Sequence, residues 1–243
     1  DVNVSGSIAL LKAMEIAGVG RIVFSSSATV YGLPQYLPID EDHPLAAMNP
    51  YGRSKLQVEN IIRDQCAARP GWGAVILRYF NPVGADDSGW IGENPRGVPA
   101  NLMPFVADVA AGERREVGVF GDDYDTRDGT GVRDYIHVVD LAEAHVAAIG
   151  WLGENTGARC FNIGGGTGTS VLEMIRSFAR VSGRDIRYVV KPRRPGDVAS
   201  CYADPSRARA ELGWRAERGA DEMCRSAWRW RQAVCGSRCQ DAT

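Results

Sequence analysis

From position 3 to 17 the chain is apolar around nearly the whole of a helical wheel, with Lys12 and Glu15 as the only charges, and Gly18 follows. A helix of that kind is expected to be buried on more than one face. Residues 21–27 (RIVFSSS) form a short apolar run ending in hydroxyls, the pattern of a buried parallel strand. Prolines 34, 38 and 44, with several acids between them, mark a loop. Asn49-Pro50 then supplies an N-cap followed by proline at the first helical position, predicting a helix to about position 68. Residues 73–79 (GAVILRY) read as the next strand, so strand, loop, helix and strand make one βαβ unit.

Beyond Asn81-Pro82 the texture changes. Residues 83–100 are rich in Gly, Pro and Asp and read as a long functional loop. A helix over 101–111, a strand over 117–120, a polar loop over 121–134 and a strand over 135–138 follow. Asp140 caps a helix to about 152, and 159–163 is a strand ending in three glycines. Ser170 and Glu173 form a capping box opening a helix to 181. A strand over 186–190, a helix opened by Asp204-Pro205 and stopped at Gly213, and a last helix over 220–233 complete the pattern; 235–243 reads as a frayed tail. Alternating β and α elements with apolar strands predict a doubly wound parallel sheet.

Composition narrows the function classes. The 243 residues are 44% apolar and 24% charged, ordinary for a globular chain. A net charge of -2 argues against a nucleic-acid partner, and no apolar run approaches the roughly 20 residues of a membrane span. Six scattered cysteines without CxxC spacing argue against a disulfide framework or a metal site, and are expected in a reducing cytoplasm. Of 28 basic residues only Lys12, Lys55 and Lys191 are lysines, which suggests positions that arginine does not fill.

Two segments carry candidate chemistry. Ser25-Ser26-Ser27-Ala28-Thr29 closes a strand, placing hydroxyls at the carboxyl edge where doubly wound sheets bind ligands. Tyr51 and Lys55 lie four apart at the start of the next helix and share a face. A free phenol is a poor base near neutrality; a neighbouring ammonium and a helix N-terminus lower its pKa, and a serine hydroxyl can hold the reacting oxygen.

FSSSATVYG (24–32), NPYGRSK (49–55), RYFNPVGA (78–85), NLMPFV (101–106), FGDDYDTRDGTGVRDYIHVVDLA (120–142) and PRRPGD (192–197) together resemble the UDP-glucose (UDP-galactose) 4-epimerase family, extended short-chain dehydrogenase/reductases. The likeness runs in order over residues 1–234. It implies a Rossmann-like domain with a smaller α/β substrate-binding domain, and NAD as cofactor. Ser27 would bind the sugar 4-hydroxyl, Tyr51 would take its proton, and Lys55 would tune Tyr51 and hold the nicotinamide ribose. Ser25, Ser26, Tyr79 and Phe80 would also lie at the cofactor, and Asn81 where nicotinamide meets nucleotide sugar. Hydride would pass from C4 to NAD and return to the other face of a transient 4-keto sugar. Asn101, Leu102, Gly118, Val119 and Phe120 would line the uridine pocket, Arg133 and Arg194 would clamp the diphosphate, and Asp197 would lie near the ribose. Cys201 would form a wall of the hexose pocket; some relatives carry tyrosine there, and the smaller thiol would leave room for the acetamido group of UDP-GlcNAc and UDP-GalNAc.

The resemblance also implies a homodimer through helices 3–17 and 50–68. 4,6-Dehydratases of the same fold carry an acidic pair where Ala28-Thr29 stand, and neither residue can act as acid or base. The family's Gly-rich NAD fingerprint is not in these residues; at roughly 30 residues per βαβ unit, about 100 residues would precede them in a longer enzyme. The chain alone is therefore expected not to retain NAD. The expected division assigns 1–82 with 135–164 to the dinucleotide domain, and 83–134 with 165–234 to the substrate domain. Alternatives left open are an inactive nucleotide-sugar-binding or dimerising fragment and a UDP-uronate epimerase or decarboxylase.

Overall fold

The computed structural model describes residues 2–95, 97–99 and 101–240. In chain order the elements are α1 (Val2–Ile16), β1 (Arg21–Ser27), a 3-10 turn (Ala28–Val30), α2 (Pro50–Ala68), β2 (Gly73–Tyr79), β3 (Asn81–Val83), α3 (Leu102–Ala110), β4 (Val117–Phe120), β5 (Val132–His137), α4 (Val138–Glu154), β6 (Gly157–Ile163), β7 (Gly168–Ser170), α5 (Val171–Ser182), β8 (Tyr188–Lys191), β9 (Ser200–Cys201), α6 (Ser206–Leu212) and α7 (Ala220–Gln240).

The chain divides into two compact units: 1–80, 142–166 and 202–215 in the first; 81–141, 167–201 and 216–243 in the second. This differs from the expected boundaries. Residues 135–141 stay with the second unit, because β5 pairs there with β3, β7 and β9. Residues 202–215 join the first, where Ile39 bridges to Ala203.

The first unit is built on an all-parallel sheet, β1-β2-β6, in which Arg21 pairs with Gly73 and Gly73 with Gly157. Residues Gly73 to Arg78 of β2 are all buried, which is why that strand reads as an unbroken apolar run rather than an alternating one. α1 and α2 pack together, Leu11 and Met14 meeting Val58, Ile62 and Cys66 above Ala74, Ile76 and Cys160. α1 buries only Leu11 and Met14, and leaves Val2, Leu10 and Ile16 exposed. The expectation of burial on several faces is thus not met within the chain.

In the second unit β3 and β9 run parallel to β5, and β7 antiparallel; β4 and β8 form a separate parallel ribbon. Its core gathers Met103, Val106, Val117, Val119, Met174 and Phe178 under α7 residues Met223 and Cys224. The Ser170–Glu173 capping box is present, with Gly183 closing α5 in the left-handed region. β7 and β9, three and two residues long, were not legible as strands. β5 begins at Val132, inside the expected polar loop, because its partners rather than its hydropathy define it. α7 continues past 233 to Gln240, no proline interrupting it, so most of the expected tail is helical; residues 241–243 lie outside the described residues.

Candidate active site

The geometry around Tyr51 begins with the turn after β1. Ser27 caps the 3-10 turn, its Oγ accepting from the Thr29 amide at 3.2 Å and from the Thr29 hydroxyl at 3.0 Å. Two accepted bonds leave the Ser27 proton free to be donated, and the hydroxyl acts to lower the Tyr51 pKa. α2 starts beside this turn because Asn49 Oδ1 accepts from the Gly52 amide at 2.7 Å. Gly52 is buried, and a Cβ there would come within 2.7 Å of the Thr29 carbonyl oxygen. Only glycine lets the first turn of α2 approach Ser27 this closely.

Lys55, one turn further on, donates to the Ser25 carbonyl at 2.9 Å and stands 5.6 Å from the centre of the Tyr51 ring. Its ammonium also lies 5.1 Å from the centre of the Phe24 ring, and burial lowers its pKa. The expected depression of the phenol is not present in this structure. Burial raises the Tyr51 pKa and the nearby Tyr79 phenol adds to the rise; the Ser27 hydroxyl opposes them. Ser25 Oγ lies 3.0 Å from His145 Nε2. Tyr79 is half-buried, whereas Phe80 is buried with its amide donating to the Ile163 carbonyl.

Ser26 requires a correction. It is fully buried and donates to Glu59 Oε1 at 2.5 Å, so it faces the interior rather than a cofactor. Glu59 is the residue that sequence reasoning missed. It follows Tyr51 and Lys55 by one more turn of the same face, is fully buried, and takes two bonds from Arg78 on β2 at 2.6 and 3.0 Å. Arg78 also donates to the Tyr31 hydroxyl, which in turn donates to Asn162 on β6. Burial pushes the Glu59 carboxyl up, but the Arg78 and Ser26 hydrogen bonds and the Arg78 and Arg63 charges outweigh it and hold the pKa below its usual range. The available signal was an arginine inside the otherwise apolar run GAVILRY, which demands a buried partner.

The remaining candidates lie in the second unit. Asn101 is exposed at the α3 N-cap and its amide donates to Glu93; Leu102 is half-buried against the core. Asn81 is exposed at the start of β3. Along β4, Gly118 and Phe120 are half-buried on one face, whereas the Val119 side chain points into the core and leaves only its backbone to line a pocket. Arg133, in β5 and not in a loop, donates to the Val132 and Val198 carbonyls and stands 3.7 Å from Asp197. Arg194 donates to the same carboxylate at 2.8 Å. Cys201 is the Cα partner of Arg133 across the β5-β9 pair; burial pushes its thiol up to about 11, so it is neutral near pH 7.

Residues 1–227 match the sequence family described as GDP-mannose 4,6 dehydratase. A UDP-glucose 4-epimerase of Bacillus subtilis is 57% identical over 231 residues, covering 95% of this chain and 68% of the relative. The human UDP-glucose 4-epimerase is 58% identical over 232 residues, with 95% and 67% covered. Among solved structures, the UDP-glucose-4-epimerase of Stenotrophomonas maltophila, with bound NAD and formylated UDP-arabinopyranose, superposes with a TM-score of 0.95 at 51% identity, over 97% of this chain and 70% of that one. The Bifidobacterium longum enzyme in complex with NAD+ and UDP gives 0.91 at 55% identity, over 95% and 69%. The chain therefore spans about two thirds of the length of these relatives.

Proposed function

We infer the function from one premise: this chain belongs to the UDP-glucose 4-epimerase family, a branch of the group described as GDP-mannose 4,6 dehydratase. It is an NAD-dependent isomerase that interconverts UDP-glucose and UDP-galactose. The observation that carries the site assignment is the first turn of α2 seated on the Ser27 turn at Gly52, with the Lys55 ammonium 5.6 Å from the centre of the Tyr51 ring on the same helix face.

The donor set fits the nicotinamide end of NAD. A half-exposed phenol, an ammonium and the Ser25 hydroxyl stand together at the carboxyl ends of parallel strands, the edge such sheets use for ligands. When bound, NAD supplies at the sugar C4 a hydride acceptor that also gives the hydride back. Tyr51 Oη takes the proton of the sugar 4-hydroxyl and later returns it. Ser27 Oγ holds the reacting oxygen, and its hydroxyl favours the phenolate form of Tyr51. Lys55 adds positive charge beside that phenolate and reaches the ribose. Ala28 and Thr29 carry no acid or base, which favours epimerisation over dehydration on this fold.

In the second unit Arg133 and Arg194 hold the diphosphate, Asp197 takes the ribose, and Asn101, Leu102 and the 118–120 strand receive the uridine. Cys201, with Asn81, borders the hexose. The chain forms a homodimer through α1, which exposes Leu10 and Ile16, and α2 packed beside it. Among the described residues no helix is long and apolar enough to cross a membrane.

The test is the interconversion of UDP-glucose and UDP-galactose by the full-length enzyme with Tyr51→Phe. Loss of the base costs roughly 10²–10⁴-fold in turnover, with UDP affinity kept. Turnover near that of the parent would remove Tyr51 from the mechanism.

A further inference from the structure

Lys191 is one of three lysines among 28 basic residues, and the catalytic reading leaves it unused. It ends β8, and its Cα partner across the ribbon is Phe120 of β4. Side chains alternate along a strand, so Gly118 and Phe120 share the face opposite to the buried Val117 and Val119. On that face the lysine stem lies along Gly118, where a Cβ would come within 3.1 Å of Cε. Its ammonium stands 5.9 Å from the centre of the Phe120 ring, and the Arg194 guanidinium stands 4.7 Å from the same ring.

The charges on this face are unequal in an informative way. Arg133 and Arg194 share one carboxylate, Asp197. Arg193, next to them, is held by Asp123 and stacked on Tyr124. Among the described residues no carboxylate pairs with Lys191. The two guanidiniums proposed for the diphosphate are thus partly neutralised, while the ammonium beside them keeps its full charge. A nucleoside diphosphate ester carries two ionised phosphates, more negative charge than a pair of arginines balanced by an aspartate can offset.

We propose that Lys191 is a third cation of the nucleotide site, set by the Gly118 groove and the Phe120 ring to meet the diphosphate of a pyrimidine nucleoside diphosphate. This rests on the reading of the second unit given above. The absence of a side chain at Gly118 is what gives the lysine stem its place along β4.

The experiment measures binding of UDP and of uridine to the 243-residue chain by calorimetry, for the parent, Lys191→Met, Lys191→Arg and Arg194→Met. Lys191→Met is expected to weaken UDP about fivefold, the upper range for a solvent-exposed charge, and to leave uridine unchanged. It is also expected to flatten the salt dependence of UDP binding, while Lys191→Arg keeps most of the affinity. Equal weakening of UDP and uridine would mean that the stem only packs against the strand, and would overturn the proposal. Unchanged UDP binding in Lys191→Met with weakened binding in Arg194→Met would also overturn it, leaving the nucleotide reading intact. A parent chain that does not favour UDP over uridine would overturn both.

Discussion

At position 201, in the proposed site, the choice of side chain would set the room beside the hexose. Cys201 is half-buried in a two-residue strand, paired with Arg133, and its thiol is neutral, so its contribution is volume rather than chemistry. The full-length enzyme is expected to interconvert UDP-GlcNAc and UDP-GalNAc as well as the plain hexose pair. Cys201→Tyr should suppress only the acetamido pair, measured as turnover of both substrate pairs by both variants. Equal loss of both activities would instead indicate damaged packing, and a parent inactive on the acetamido sugars would place the obstructing wall elsewhere.

α2 carries the candidate catalytic residues, and what fixes the helix is a buried ion pair. Glu59 ties the helix to β2 through Arg78 and to β1 through Ser26, so Tyr51 and Lys55 are held in register with Ser27. Removing one partner of such a pair leaves an uncompensated buried charge, at a cost of about 3–5 kcal/mol. Glu59→Gln should therefore lower stability by that order in urea titrations. The pH sign follows from the depressed carboxyl: its stabilisation is present above the unfolded value, about 4.3, and is lost as pH falls through the folded value. As pH falls below about 4.3 the parent should lose stability more steeply than Glu59→Gln, and equal slopes would show that this pair does not set acid sensitivity. The start of this helix was legible because Asn49-Pro50 is a local signal, and β1 and β2 because buried parallel strands are continuous apolar runs. Glu59 was not, since its role depends on a strand 19 residues away. Nor were β7 and β9, which are strands only because β5 lies beside them, and the fall expected in the Tyr51 pKa failed because burial, invisible in spacing, outweighs the Ser27 hydroxyl, while Lys55 donates to the Ser25 carbonyl.

For the molecule as a whole, the exposed apolar residues of α1 are the surface proposed to drive association. Leu10 is 53% exposed and Ile16 89% exposed although both are strongly apolar, and burying such side chains yields about 1.5–3 kcal/mol each. The full-length enzyme is expected to sediment as a dimer at micromolar concentration, and Leu10→Glu to shift it to monomer; a dimer unaffected by that change would move the interface away from α1. A second surface acts on solution behaviour by other means. Among the described residues β1 pairs with a strand on one side only, β2, so from Arg21 to Ser27 its outer edge presents a row of amides and carbonyls that no described strand covers, with the Ser25 carbonyl accepting from Lys55. To an extended peptide that row is a template, and its sequence, with Ile22, Val23 and Phe24 in succession, favours strand pairing. The shelf life of the 243-residue chain will accordingly follow this edge rather than the global stability of the sheet: turbidity on standing should rise with protein concentration, and a short β-forming peptide laid along β1 should hold it back, as a selvedge keeps a woven cloth from catching on its neighbour.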